Sequence, residues 1–147
     1  MSALTSTRYV LVKEGSIKKT SYPLAVGEKV FVNSGLAFDT ARPGAMYKMA
    51  SGVATFVPLG WALADVDNSA GSSTVPCPVE LYRERHIQWW DSVTGANAIT
   101  AGNLFDDAYI FSDHELTKNS GTVSKYGKVL GFSPQGYPGA IGVEPIY

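Results

Sequence analysis

The stretch from Gly60 to Leu81 constrains the fold most. An apolar run, Gly60-Trp61-Ala62-Leu63-Ala64, stops at Asp65-Val66-Asp67-Asn68-Ser69-Ala70-Gly71. A second run, Val75-Pro76-Cys77-Pro78-Val79-Glu80-Leu81, starts a few residues later. Asp, Asn, Ser and Gly favour tight turns, because their side chains bond the local backbone or tolerate positive φ. Short apolar runs bounded by such clusters read as strands joined by turns. The same punctuation recurs along the chain, and no segment holds a 3.6-residue period over three turns. The pattern predicts an all-β fold, a small β-barrel or β-sandwich with little helix.

The candidate strands follow in order. Tyr9-Val10-Leu11-Val12 is the first. Lys29-Val30-Phe31-Val32 and Leu36-Ala37-Phe38 flank Asn33-Ser34-Gly35, which reads as a hairpin. Pro43-Gly44 breaks the chain. Val53-Ala54-Thr55-Phe56-Val57 and Leu59 to Ala64 follow, with Pro58 marking a kink or bulge between them. Thr100 to Leu104 reads as one helical turn capped by Thr100. Ala108 to Phe111 and Gly121 to Ser124 flank a polar turn, and Tyr126 to Phe132 pairs with Ala140 to Val143. Val57-Pro58-Leu59-Gly60-Trp61 echoes Lys128-Val129-Leu130-Gly131-Phe132, a strand glycine before an aromatic ring. Such a glycine marks a bend or a close backbone approach. The echo suggests equivalent strands in one barrel.

The run from Val75 to Trp90 is the longest. Its odd positions share one face, which is apolar at both ends and carries Arg83 and Arg85 in the middle. Either a bulge resets the register there, or the middle leaves the core and reaches a neighbouring chain. Trp89 and Trp90 point to opposite faces, so if both are buried one meets another surface. Arg83, Arg85 and Trp90 are therefore the candidate subunit interface.

Chain length, 147 residues, suits one domain. Charged residues make up 17%, below the ~25% of average domains, which fits a surface partly covered by other protein. Residues 1–30 hold five bases and two acids, and the remainder seven bases and eleven acids. The basic leading segment suits docking on an acidic partner. Residues 16–28 are poorly patterned. The expected division is an extended N-terminal arm with a first strand over 1–28 and a single β domain over 29–147. Net charge of −1 gives no general attraction to nucleic acid. No stretch approaches the ~20 apolar residues of a membrane span, and the N-terminus lacks the apolar core of a signal peptide. The expected partners include neither nucleic acid nor membrane.

Catalytic signals are weak. Cys77 is the only cysteine and lies between prolines in an apolar run, which suits a buried inert thiol. His86 lies among Glu80, Arg83, Glu84 and Arg85, a mixed-charge face. Asp113-His114-Glu115 has metal-binding residue types but falls in a predicted turn. Asp65-x-Asp67-Asn68-x-x-Gly71 fails the spacing of a calcium loop and reads as a turn. No phosphate-binding loop, dinucleotide fingerprint or nucleophile elbow is present. No catalytic residue, metal or cofactor is expected, and the chain reads as a non-enzyme. Trp61, Trp89 and Trp90 leave a sugar-stacking platform open.

The order of several motifs resembles the head decoration, or capsid cement, proteins of tailed bacteriophages. The carriers are Ser2-Ala3-Leu4-Thr5, then Leu59 to Ala62 running into Val66 to Gly71, and the charged strand Val79 to His86. Ile99 to Leu104 entering Ala108 to Ile110, and Gly127 to Phe132 before a last strand, complete the set. The resemblance implies a small β-rich, non-enzymatic virion protein, made in the host bacterial cytoplasm. It would bind the major capsid protein on the outer surface of an assembled head, as a homotrimer, and stabilise the head. A basic arm around Lys13, Lys18 and Lys19 is the expected capsid-binding segment. Deleting residues 1–20 is then expected to abolish head binding and leave the fold intact. The alternatives are another phage structural part (tail tube, neck or fibre base) and a carbohydrate-binding β module.

Overall fold

A computed structural model describes residues 3–4, 19–81, 88–121, 123–132 and 140–145. It is built from strands, with two 3₁₀ turns at Gly95–Asn97 and Ala101–Asn103. The strands are β1 (Lys19–Leu24), β2 (Lys29–Val30), β3 (Gly35–Asp39), β4 (Met46–Lys48), β5 (Phe56–Ala62) and β6 (Val66–Asp67). After them come β7 (Val75–Leu81), β8 (Gln88–Ser92), β9 (Asp107–Ile110), β10 (Glu115–Thr117), β11 (Lys125–Phe132) and β12 (Ala140–Pro145). They close into two five-stranded barrels rather than the expected one. The first runs β1-β4-β3-β5-β7, the second β10-β8-β12-β11-β9, and β2 pairs with β6 as a separate ribbon.

The two barrels share one topology. In chain order, the first to fifth strands of the first barrel take the places of β8, β9, β10, β11 and β12. The parallel pair β1–β4 matches the parallel pair β8–β10. The antiparallel pairs β1–β7, β3–β4, β3–β5 and β5–β7 match β8–β12, β9–β10, β9–β11 and β11–β12. The registers agree as well. Gly60 faces Leu36 and Leu81, while Gly127 faces Ala108 and Pro145. Tracing partners round each ring pairs Tyr22 with Trp90, Met46 with Leu116, and Val79 with Val143.

Local details repeat at matching positions. A bulge inserts one extra residue just before each glycine, Leu59 in β5 and Tyr126 in β11. A Cβ on Gly60 would lie 2.1 Å from the Glu80 carbonyl oxygen, and one on Gly127 would lie 2.0 Å from that of Glu144. Only glycine allows the neighbouring strand so close. Asn33 and Phe105 also match. They are the two non-glycine residues with positive φ among the described residues, at 69° and 70°. The Asn33 N–H donates to the Ala62 carbonyl and the Phe105 N–H to the Val129 carbonyl, both at 2.8 Å. The echo between the strands is therefore real, but it joins two barrels, and the counterpart of Gly60 is Gly127 rather than Gly131.

Other expectations need correction. Residues 29–32 and 36–38 do not form a hairpin, since β2 pairs with β6 and β3 with β4 and β5. A turn closed by Ser34 N–H on the Phe31 carbonyl, followed by its contact with Asp113, carries the chain across instead. The strand expected at 53–57 begins at Phe56 and runs through Pro58 into the bulge. Gly121, Val123 and Ser124 of the strand expected at 121–124 are not in a strand, Thr122 lies outside the described residues, and it is β10 that pairs with β9. Residues 19–24 of the expected arm are a stave of the first barrel, bonded along β7, so a boundary at 28/29 cuts through that barrel. Tyr9 to Val12 lies outside the described residues.

Two cores result. The first barrel is filled by Leu24, Leu36, Met46, Leu59, Ala62, Cys77 and Val79, with Val30 packed among them. The second core joins the inside of the second barrel (Trp90, Ala108, Ile110, Leu116, Tyr126, Val129, Ile141, Val143) to Ala37, Met49, Phe56 and Trp61 on the outside of the first. Because the two glycines are equivalent, Gly60→Ala and Gly127→Ala are expected to destabilise the protein to a similar degree. Each places a methyl group against backbone, so each costs about 3 kcal/mol or more. Urea titration of both variants checks this.

Candidate functional site

The most organised polar cluster lies where the barrels meet. Ser112, Asp113 and Glu115 are buried, and the His114 side chain is 19% exposed. The Ser112 hydroxyl donates to Glu115 Oε1 at 3.1 Å and accepts from the Glu115 N–H at 3.1 Å, which fixes the turn into β10. Asp113 then bonds outward. Its carboxylate accepts from the Ser34 hydroxyl at 2.8 Å and from the Leu4 N–H at 2.8 Å. Its carbonyl accepts from the Gly35 N–H at 2.6 Å. One residue of the second barrel thus holds the start of β3 in the first barrel and the N-terminal Leu4.

Burial of Asp113 opposes its charge, yet the bonds from His114, Leu4 and Ser34 outweigh that and hold its carboxyl below the usual carboxylate range. Ser112, Asp113 and His114 do not form a nucleophilic relay. The Ser112 hydroxyl and the Asp113 carboxylate both meet the same imidazole nitrogen, Nδ1, at 3.4 and 3.2 Å. A relay needs them on opposite nitrogens. Among the described residues, no three His, Cys, Asp or Glu side chains are grouped to hold a metal ion.

The Asp65–Gly71 segment, expected as a turn throughout, first forms the short strand β6 and turns only at Ser69-Ala70. Asn68 is buried and its amide donates to the carbonyls of Leu24, Ala25 and Ser73. Asp65 accepts from the Val32 N–H and Asp67 from the Ser69 N–H and hydroxyl. Thr100 also closes its 3₁₀ turn, its N–H donating to Asn103 Oδ1 at 2.9 Å. Cys77 points into the first barrel, and burial pushes its thiol up to about 11, so it is not a nucleophile at neutral pH.

The structure separates the expected site residues. Lys13, Lys18, Arg83 and Arg85 lie outside the described residues, as does His86. Lys19 pairs with Glu80 at the start of β1. Trp90 is fully buried inside this chain, stacked edge-on against Tyr126 at 4.9 Å and 6.2 Å from Trp61. It is a core residue and not a surface for a second subunit. The long run from Val75 to Trp90 changes barrel between β7 and β8, which is why its two ends are both apolar. Trp61 is buried too, so neither ring is available to stack on a sugar.

Sequence reasoning missed the surface pair Leu104 and Phe105, 40% and 65% exposed. The signal was present as two apolar residues inside Asn103-Leu104-Phe105-Asp106-Asp107, a polar loop where burial was not required. Comparison with protein-family models, curated proteins and solved structures returns no match to this chain.

The depressed Asp113 pKa sets a pH test. Its bonds stabilise the fold above the unfolded aspartate value of about 3.9, and that contribution fades as pH falls through the lower folded value. Asp113→Asn is expected to cost about 1–3 kcal/mol at pH 7. The gap from wild type should shrink as pH drops below about 4. Urea unfolding of both proteins at neutral and acid pH measures it.

Proposed function

We propose that the chain is a non-enzymatic virion structural protein that binds the outer surface of an assembled phage head, as a homotrimer, and stabilises it. The ordered motifs from Leu59 to Phe132 support this reading, and the observation that carries it is the joining of two barrels through one continuous core. A closed barrel leaves no free sheet edge, and interiors packed with side chains resist deformation. A body of that kind transmits load between capsid subunits and needs no catalytic centre. Repetition over many capsid sites turns modest contacts into firm attachment.

In this reading the capsid contact is the basic segment with Lys13, Lys18 and Lys19, and Arg83 and Arg85 serve contacts between subunits. Leu4 bonded to Asp113 and Lys19 in β1 fix the two ends of that segment on the body. Thr20 and Lys19 bond along β7, so a deletion of residues 1–20 removes part of a barrel stave as well as the segment. A substitution of Lys13 and Lys18 by glutamate leaves every described bond in place and is the cleaner variant.

The direct test is copy number in purified particles of the phage that encodes this chain, by quantitative peptide mass spectrometry. Near-equality with the major capsid protein is the expected result. A few to a few dozen copies assign the protein to the neck or tail, and absence from particles rejects a structural role. With particles in hand, K13E/K18E is expected to lower occupancy on heads at least about tenfold, and wild-type occupancy would remove the segment from the contact.

A further inference from the structure

The two barrels depend on each other unequally. Leu24, Leu36, Met46, Leu59, Cys77 and Val79 fill the first, and the cluster they form draws every member from residues 22–81. The second interior is not self-contained. Trp90, Ile110 and Tyr126 share one cluster with Ala37, Met49, Phe56 and Trp61 of the first barrel. Strand alternation explains the difference. Leu36 and Ala62 point into the first barrel, so their neighbours Ala37 and Trp61 point out of it, and there they meet the second. Trp90 is fully buried only because of that meeting. Trp61 lies 6.2 Å from it, and a Cβ on Gly35 would stand 2.7 Å from its ring edge.

The polar contacts across the joint have the same asymmetry. On the first barrel they engage groups of the outer face. The Ser34 hydroxyl and Gly35 N–H donate to Asp113, the Phe56 N–H donates to the Ser124 hydroxyl, and that hydroxyl donates to the Val53 carbonyl. With the second barrel gone, water reaches all four groups and replaces their partners. The inside of the first barrel stays closed, with Asn68 still bonded to Leu24, Ala25 and Ser73. The converse state is worse. With the first barrel gone, the Trp90 end of the second interior opens to water, and a tryptophan buries roughly 150–250 Å².

Chain order permits the separation. The first barrel is closed by β1 on β7, and the second is built from β8 to β12. No strand of either ring is borrowed from the other. The second ring can therefore come apart without drawing a stave out of the first.

We propose that the second barrel opens as one unit while the first stays closed, a conformational device that bares the apolar face of Ala37, Met49, Phe56 and Trp61. The first barrel is the template on which the second closes. It also precedes the second in the chain, so it is the first to be complete as the chain is made. This order of opening is independent of attachment to a phage head.

Native-state hydrogen exchange on the full chain, followed residue by residue by NMR in low urea, tests it. The amides of β8, β11 and β12 are expected to share one opening, at least about tenfold more populated than the opening that frees β1, β5 and β7. A single opening for both barrels overturns the proposal, and so does earlier exchange in the first. Two valine variants give a second readout. Gly60 and Gly127 hold matched places, each against a carbonyl of the neighbouring strand, so the same added bulk strains each barrel alike while its reach differs. Gly127→Val is expected to collapse the amide signals of residues 88–145 and to keep those of residues 19–81 dispersed. Gly60→Val is expected to collapse both sets. Loss of the first barrel's signals in Gly127→Val overturns the proposal, as does a folded second barrel beside a collapsed first in Gly60→Val. Should both variants keep every signal, the exchange pattern of the wild type decides alone.

Discussion

The packing of Trp61 on Trp90 is the constraint on which the rest depends. It puts a side chain from the outside of one barrel against the inside of another, so the core of the second barrel is completed by the first. Gly35 makes the approach possible, because the Trp90 ring occupies the space where its Cβ would stand. Truncating a buried tryptophan typically costs about 3–5 kcal/mol, a large part of a typical total stability of about 5–15 kcal/mol. The surrounding polar bonds act on the same joint. Ser34 and Gly35 bond to Asp113, and Ser124 donates to the Val53 carbonyl while accepting from the Phe56 N–H.

The same backbone plan carries two different surfaces. Where the first barrel presents Gly35, Ala37 and Trp61, the second presents Asp107, Tyr109 and Lys128. Burying that second face beneath a third barrel in the same way would desolvate Asp107 and Lys128, a cost their mutual attraction recovers only with close geometry. The internal arrangement therefore ends at two units. The interiors diverge less in character than in size, with Tyr22, Leu36, Leu59 and Cys77 matched by Trp90, Ala108, Tyr126 and Ile141. Small and large residues trade places from one barrel to the other, which keeps each interior filled.

Much of the strand pattern was legible. β9, β11 and β12, the bulge near Pro58, the turn at Ser69-Ala70 and the Thr100 turn all follow from alternation, turn chemistry and strand glycines. The duplication was half visible, as an echo between two glycines. It was misaligned because the shared feature is a glycine behind a bulge, facing a neighbouring carbonyl. An aromatic after the glycine is not part of it, since Lys128 follows Gly127. The hairpin at 29–38 failed because the residues that turn the chain, Asn33 and Ser34, spend their bonds on Ala62 and Asp113, distant in sequence. Asp113-His114-Glu115 attracted notice for its chemistry, and its structural use as a clasp depends on a partner 79 residues away.

Local sequence determined what local physics controls: short strands, their turns, the near absence of helix and the burial of Cys77. Tertiary structure decided how those strands closed. Five hydrogen-bonded neighbours per ring, and the choice of two rings over one, depend on pairings across dozens of residues that no local propensity encodes. It also decided which of two adjacent tryptophans lies in the core. The face a strand residue takes is fixed by alternation, but which face is inside depends on where the second barrel lies.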